Sequence, residues 1–300
     1  MGKRRPPDIL RKSHRHVDRK ERAQARLSLR RDLEEAGEAA APVTALLIDL
    51  DGVLYEDERA VAGAAETLAW LQAHGIAYLF VTNTTSRPRA ALVDKLAAMG
   101  LRTTAEQILT PPVAAAAWLR EHASGPVALF VPPATREEFA GLPLWTSGED
   151  AVAVVVGDYG ESWSYAELNR AFRLLMSAAR PQLVALGMTR YWRAADGLRL
   201  DAGPFVVALA HASGADPVVL GKPAKAFFEM ALARLSVDAA EACLIGDDVR
   251  TDVGGAQRAG LRALLVKTGK FRASDLEGDV TPSGVLDSIA DLPARWPTLW

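Results

Sequence analysis

The sequence predicts a doubly wound parallel α/β sheet into which a second α/β domain is inserted. Three observations carry that prediction. Short continuous apolar runs alternate with helical patterns, as strands buried on both faces of a helix-covered parallel sheet require. Several of those runs stop abruptly at carboxylates, hydroxyls or a lysine, with Asp49 and Asp51 first in order. The pattern breaks at Pro111-Pro112 and resumes near Pro217. The 105 residues between, 112–216, are long enough to be a domain of their own.

Size and composition set the frame. The 300 residues are 49% hydrophobic, enough for one large core or two moderate ones. No run approaches the roughly 20 apolar residues of a membrane span, so no membrane partner is expected. The N-terminus has no apolar signal core, and Pro6 argues against myristoylation of Gly2. The single cysteine, Cys243, excludes an intramolecular disulfide. It lies in an apolar run and reads as a buried, inert thiol, which fits a reducing cytoplasm.

A net charge of −2 conceals an asymmetry. Residues 1–31 carry 12 Lys/Arg against 3 Asp/Glu, a net +9, which leaves −11 on the rest. Residues 1–41 therefore read as a basic tail. It is either an arm for nucleic acid or another acidic partner, or a solvated, flexible extension. Its apolar residues are too few for a core face and no aromatics are interleaved to stack bases. The extension is favoured, and no nucleic-acid partner is expected.

The elements follow in order. Residues 45–50 form a buried strand that ends in Asp49-Leu50-Asp51-Gly52. Ligands of open parallel sheets bind beyond the carboxyl ends of the strands. Two carboxylates there read as a Mg²⁺ site holding a phosphoryl group, or as an Asx turn. Alternate residues of an extended chain share one side, and Gly52 permits a turn that bares backbone N–H groups to an anion. Residues 60–74 are an amphipathic helix stopped by Gly75. Residues 76–81 are a second buried strand that runs into Thr82-Asn83-Thr84-Thr85-Ser86, either a phosphate-binding hydroxyl cluster or a capping cluster. Beside the Asp49 strand, the phosphate reading is favoured. Residues 89–99 are helical.

The insertion reads as helix 113–122, strands 127–131 and 152–156, helix 165–178, strand 183–186 and a helix opened by Gly203-Pro204. Its candidate ligand-covering residues are Asp158, Arg190, Tyr191 and Trp192, with plain surface packing as the alternative. The five histidines, at 14, 16, 74, 122 and 211, are too scattered for a metal site. The first pattern then resumes. Strand 217–220 leads to Gly221-Lys222-Pro223, which aims a lysine able to neutralise a phosphoryl group. A helix at 224–235 precedes strand 242–245, which ends in Gly246-Asp247-Asp248, with Asp252 four residues beyond Asp248. A helix at 256–259 and strands 263–266 and 285–289 close the chain. Carboxylates gathered from two strand ends repel in a low-dielectric cleft. A divalent cation relieves that repulsion, and all-oxygen ligands favour Mg²⁺.

The ordered set Asp49-x-Asp51-Gly52, Thr82-Asn83, Lys222 and Gly246-Asp247-Asp248 resembles the haloacid dehalogenase (HAD) superfamily. The long insertion resembles class IIA members, which carry a large α/β cap. Within residues 45–290, Gly157-Asp158-Tyr159-Gly160, Gly187–Trp192, Asp201–Phe205, Val219–Phe228 and Asp252–Gly260 with Val266–Phe271 are similar to one subgroup. That subgroup holds the HAD-like hydrolase domain-containing proteins and the phospholysine phosphohistidine inorganic pyrophosphate phosphatases. The resemblance implies a HAD Rossmann-like core at 42–111 and 217–300 and a cap at 112–216. It implies a Mg²⁺-dependent phosphatase acting on small phosphorylated substrates, with Asp49 as nucleophile and Asp51 as acid/base. Gly52, Thr82, Asn83 and Lys222 would bind the phosphoryl group. Asp49, the Asp51 carbonyl and Asp247 would hold Mg²⁺, with Asp248 and then Asp252 beside it. Pyrophosphate or phosphoramidate cleavage on the same site is one alternative, and a binding protein acting through its basic tail is another. Carbon–chlorine hydrolysis needs neither Asp51 nor Mg²⁺ and is disfavoured. Class IIA relatives suggest a homodimer through the cap.

Overall fold

A computed structural model describes residues 41–147, 150–194 and 196–300; the tail reading for residues 1–40 lies outside them. Strand β1 (Ala45–Asp49) is buried throughout because Ala-Leu-Leu-Ile offers apolar side chains to both faces. A hairpin follows, β2 (Tyr55–Glu56) against β3 (Arg59–Ala60), so helix α1 (Ala64–Ala73) starts later than its periodicity suggests. Next come β4 (Ala77–Val81), α2 (Arg89–Ala98) and the short β5 (Ile108–Leu109). Pro111-Pro112 opens α3 (Pro111–His122) rather than ending a segment. The Thr110 hydroxyl accepts the Val113 N–H at 3.4 Å, and the prolines fill first-turn positions that need no donor.

The inserted segment builds a second parallel sheet. Its elements are β6 (Val127–Phe130), β7 (Ala153–Val156), α4 (Tyr165–Leu175), β8 (Gln182–Ala185), the hairpin β9 (Tyr191–Ala194) with β10 (Gly197–Leu200), α5 (Ala202–Ser213) and β11 (Val218–Val219). The strand order is β11-β8-β7-β6. Strand β11 was expected to reopen the first sheet. It pairs instead with β8, Val218 with Val184 and Val219 with Ala185. A two-residue apolar strand suits either sheet, and its neighbour decides.

The chain then returns through α6 (Lys225–Leu235), β12 (Ala242–Gly246), a π-helical turn at Val249–Val253, α7 (Gly254–Arg258), β13 (Arg262–Val266), β14 (Gly284–Leu286) and α8 (Leu292–Leu299). The first sheet has the order β14-β13-β12-β1-β4-β5, all parallel. The chain winds outward from β1 one way and from β12 the other, so the order reverses between them. That reversal point is where ligands bind in such sheets. Alternation along β1 sends Leu46 and Ile48 into a core with Phe80 and Ile245, and Leu47 into another with Phe227 and Phe228. The second core continues through α3 to the inner face of the second sheet. Cys243 is fully buried, and burial pushes its thiol up to about 12, as an inert thiol requires. Among the described residues, no helix is long and apolar enough to cross a membrane.

Candidate active site

Parallel pairing aligns β1 with β12 from Ala45–Ala242 to Ile48–Ile245, which sets Asp49 beside Gly246-Asp247 at the reversal point. There, carboxylate oxygens of Asp49, Asp247 and Asp252 lie within 4.8 Å of one another, all three residues buried. The buried Lys222 reaches in from the far side of the insertion. Its Nζ stands 2.9 Å from Asp49 Oδ1 and 2.7 Å from Asp252 Oδ1. Burial opposes its charge, but Asp252 and Asp49 outweigh burial and hold its pKa above the ordinary lysine value. Burial pushes the carboxyls of Asp247 and Asp252 up to about 6, against the pull of Lys270 on the first and Lys222 on the second.

The cluster fits a hard divalent cation. Lys222 pairs with two of the three carboxylates, Asp49 and Asp252, and Asp247 Oδ1 is buried with no hydrogen-bond partner among the described residues. A buried carboxylate oxygen with nothing to accept is costly, and a cation with oxygen ligands removes that cost. The other oxygen, Asp247 Oδ2, accepts the Lys270 N–H at 2.8 Å. Two glycines press on it. Gly52 has φ +80°, and a Cβ there would fall 2.1 Å from Asp247 Oδ2; at Gly269, φ +69°, it would fall 2.2 Å away. The Gly269 N–H donates to Glu56 Oε1 at 2.7 Å, tying the loop after β13 to strand β2 of the hairpin that follows β1.

The other expected site residues are held in different ways. Asp51 is exposed and outside the carboxylate group. Strand β1 ends at Asp49 and the chain turns at once, the Gly52 N–H donating to the Tyr55 carbonyl at 2.7 Å, so same-side spacing no longer applies. Thr82 is buried, its hydroxyl 3.1 Å from that of Thr84. Asn83 does not present its side chain to an anion. Its Oδ1 accepts the Lys222 N–H at 2.8 Å and its Nδ2 donates to the Lys222 carbonyl at 2.9 Å. Both ends of the amide are therefore used to hold the lysine's own peptide groups.

The ranking of Asp248 above Asp252 is reversed. Asp248 Oδ1 accepts the N–H groups of Arg250 at 3.0 Å and Thr251 at 2.9 Å, capping the π-helical turn. That turn carries Asp252 back over the strand end, where it meets Lys222.

Asp158 is half-buried, and its N–H donates to Thr85 Oγ1 at 3.2 Å; Thr135 donates to the Thr85 carbonyl at 2.9 Å. Both contacts join the second sheet to the loop begun by Thr82. Arg190, Tyr191 and Trp192 are exposed on the β9 side of the hairpin, with the Arg190 guanidinium 5.8 Å from the Tyr191 ring centre. No described hydrogen bond or ion pair links these three to the carboxylate cluster.

Sequence reasoning passed over Lys270 and Gly269. Their signal was present: Thr268-Gly269-Lys270 follows an apolar strand much as Gly221-Lys222 does. The carboxylates of Asp247, Asp49 and Asp252 outweigh burial and raise the Lys270 pKa. Asp201 was also missed. It caps α5, its Oδ1 accepting the Ala202 N–H at 2.6 Å, and its carboxyl is raised by burial and by the neighbouring Asp158 charge.

A doubly wound sheet with clustered carboxylates and a buried lysine at its reversal point fits an α/β enzyme with a metal- and anion-handling centre. Residues 46–143 match the family model of haloacid dehalogenase-like hydrolases, and residues 219–292 match a HAD-hydrolase-like model. The human phospholysine phosphohistidine inorganic pyrophosphate phosphatase is 40% identical over 260 residues, covering 85% of this chain and 94% of that one. The bovine haloacid dehalogenase-like hydrolase domain-containing protein 2 is 40% identical over 242 residues, covering 81% and 90%. Among solved structures, the p-nitrophenyl phosphatase of Archaeoglobus fulgidus superposes with a TM-score of 0.78 at 26% identity, covering 85% of this chain and 99% of that one. NagD of E. coli K-12 gives 0.75 at 26% identity, covering 83% and 98%. The chain belongs to the haloacid dehalogenase-like hydrolase family, and its relatives include phosphatases.

Proposed function

We propose that the chain is a Mg²⁺-dependent phosphatase that cleaves small phosphate monoesters through an aspartyl-phosphate on Asp49. The observation that carries this reading is the buried group of Asp49, Asp247 and Asp252 facing Lys222. Asp49 Oδ1 is engaged by Lys222 and by the Leu50 N–H at 2.8 Å, which leaves Oδ2 to attack phosphorus. The bond from phosphorus to the leaving oxygen breaks as the bond to Asp49 forms. Asp51, exposed at the mouth, gives that oxygen its proton. It then takes a proton from the water that attacks phosphorus and frees Asp49. Lys222 and Thr82 hold the phosphoryl oxygens in the transition state, whereas the Gly52 N–H, expected to do so, is already given to the Tyr55 carbonyl. Asp252 and the Asn83 amide hold Lys222 in place. Asp49, Asp247 and the Asp51 carbonyl would hold Mg²⁺, which when bound neutralises charge on the nucleophile and the phosphoryl group.

The inserted segment, which runs through β11 to residue 219, acts as the cap that excludes water and selects the leaving group, with Asp158 at its inner edge and Arg190, Tyr191 and Trp192 further out. Tyr191, Leu198 and Leu200 expose an apolar face on the hairpin, which supports a homodimer through the cap. A single buried thiol supports a cytoplasmic setting. A second reading, cleavage of pyrophosphate or a phosphoramidate such as phosphohistidine, is favoured by the 40% identity to a phosphatase named for those substrates.

The test is phosphate release from a panel of monoesters, pyrophosphate and phosphohistidine by wild type and Asp49→Asn, each with Mg²⁺ and with EDTA. Release that needs both Mg²⁺ and Asp49 is the expected result, and the panel ranking separates the two substrate readings. No release from any compound by folded, Mg²⁺-binding protein rules out both.

A further inference from the structure

Away from the carboxylate cluster, one cavity combines charge with aromatic walls. It has a volume of about 270 Å³ and lies on β6, the edge strand of the second sheet. Phe130, Leu144 and Trp145 supply apolar walls, Arg136 and Arg170 line it, and among the described residues no acidic one does. It shares no residue with the site described above.

The two arginines are held differently. The Arg170 guanidinium carbon stands 5.1 Å from the Phe130 ring centre and 5.8 Å from that of Trp145, so two ring faces fix its position. It pairs with Glu167 through Nη2, which leaves Nη1 with no hydrogen bond among the described residues. Arg136 is exposed and has no ion-pair partner among the described residues. A planar cation stacked on aromatics beside a second, unpaired one matches the fork that a carboxylate needs.

The sheet edge gives the cavity its shape. The Val127 N–H donates to the Pro143 carbonyl at 2.9 Å, and its carbonyl accepts the Trp145 N–H at 2.9 Å. The chain at 143–145 thus lies alongside the start of β6 and forms one wall. Peptide groups of a parallel strand alternate between its two edges. Leu129, two residues on, turns its own toward the cavity.

We infer that this cavity binds a small organic anion with a flat apolar body. Its carboxylate lies on Arg136 and Nη1 of Arg170, and its body lies against Trp145 and Leu144. A cavity of this size takes a ligand of roughly ten heavy atoms, and such fragments bind with Kd on the order of 1 mM.

The probe is 4-fluorobenzoate, followed by ¹⁹F NMR titration against the full chain. Its neutral isostere, 4-fluorobenzamide, is the control, with inorganic phosphate as competitor. The expected result is saturable binding of the acid, much weaker binding of the amide, and no displacement by phosphate. Arg136→Ala, an exposed position whose loss leaves thermal unfolding unchanged, weakens the acid about tenfold, and Arg136→Glu abolishes binding. Absence of saturable binding by the acid overturns the inference. So do equal binding of the amide, displacement by phosphate, or an Arg136→Ala titration that matches wild type.

Discussion

The amide clamp between Asn83 and Lys222 makes a sharp prediction. Asn83→Ala removes one acceptor and one donor from a buried residue, the Lys222 N–H bond of 2.8 Å and the carbonyl bond of 2.9 Å. Each bond is worth about 1 kcal/mol net, and a buried peptide group left unsatisfied costs about 1–3 kcal/mol. The substitution therefore destabilises the fold by about 2–4 kcal/mol. At about 2–4 °C per kcal/mol for a chain of this size, Tm falls by about 5–15 °C. If about 2 kcal/mol of this appears as a misplaced Lys222 ammonium, kcat/KM on p-nitrophenyl phosphate falls about 30-fold.

Lys222→Ala separates positioning from direct contact with substrate. It deletes the ammonium and leaves the backbone that Asn83 holds. In that background, Asn83→Ala still lowers Tm by the same amount, because the clamp is intact. It lowers kcat/KM by less than about twofold, because there is no ammonium left to aim. Asn83→Asp, which keeps the acceptor but sets an oxygen against the Lys222 carbonyl, falls between wild type and Asn83→Ala. Equal factors in kcat/KM in both backgrounds would refute the reasoning and make Asn83 a substrate contact.

Three further outcomes follow from the same site and its surroundings. Without substrate, Mg²⁺ at about 100 times its Kd stabilises the wild type by about 2.7 kcal/mol, a rise of about 5–10 °C in Tm that EDTA removes; Asp247→Asn loses most of that rise in a thermal-shift assay. Gly52→Ala sets a Cβ 2.1 Å from Asp247 Oδ2 at φ +80°. It costs about 1–3 kcal/mol in backbone strain alone and erases the Mg²⁺-dependent rise; a rise that survives would mean the glycine cradle yields. Asp201 has a raised carboxyl pKa, so the folded state binds its proton more tightly than the unfolded chain does. The stability this contributes is present below the unfolded pKa and is lost as pH rises through the folded one. Asp201→Asn keeps a good helix cap, so urea unfolding at pH 4 and pH 7 should show the variant losing less stability across that span than wild type.

Much of this site was legible because a parallel sheet writes its active edge into local sequence. An apolar run sheds its charge until the strand stops, and Asp49, Thr82 and Asp247 mark three such stops. What was hidden depends on contacts that no local window contains. Nothing near Asn83 says that its amide will be taken by a lysine 139 residues away. Nothing near Asp248 says that one π-helical turn will spend that carboxylate on a cap and swing Asp252 over the strand end. The hairpin of β9 and β10 escaped notice because most of its residues are exposed, so no buried alternation announces it. Strand β11 was misread for a related reason, since two valines do not name their sheet.

These hidden contacts share a location. The loop after β4 gives Asn83 to Lys222, which follows directly from β11 of the second sheet. Two residues beyond Asn83, the same loop gives the Thr85 carbonyl to Thr135 and the Thr85 hydroxyl to the Asp158 N–H. The inserted segment leaves the first sheet at α3 and returns at β11, and this loop touches both the returning end, at Lys222, and the segment's own loops, at Thr135 and Asp158. A displacement of the second sheet therefore pulls on the residues that aim Lys222. The ammonium's distance to Asp49, 2.9 Å as found, is then set by how the second sheet sits on the loop as well as by the strand that carries the nucleophile.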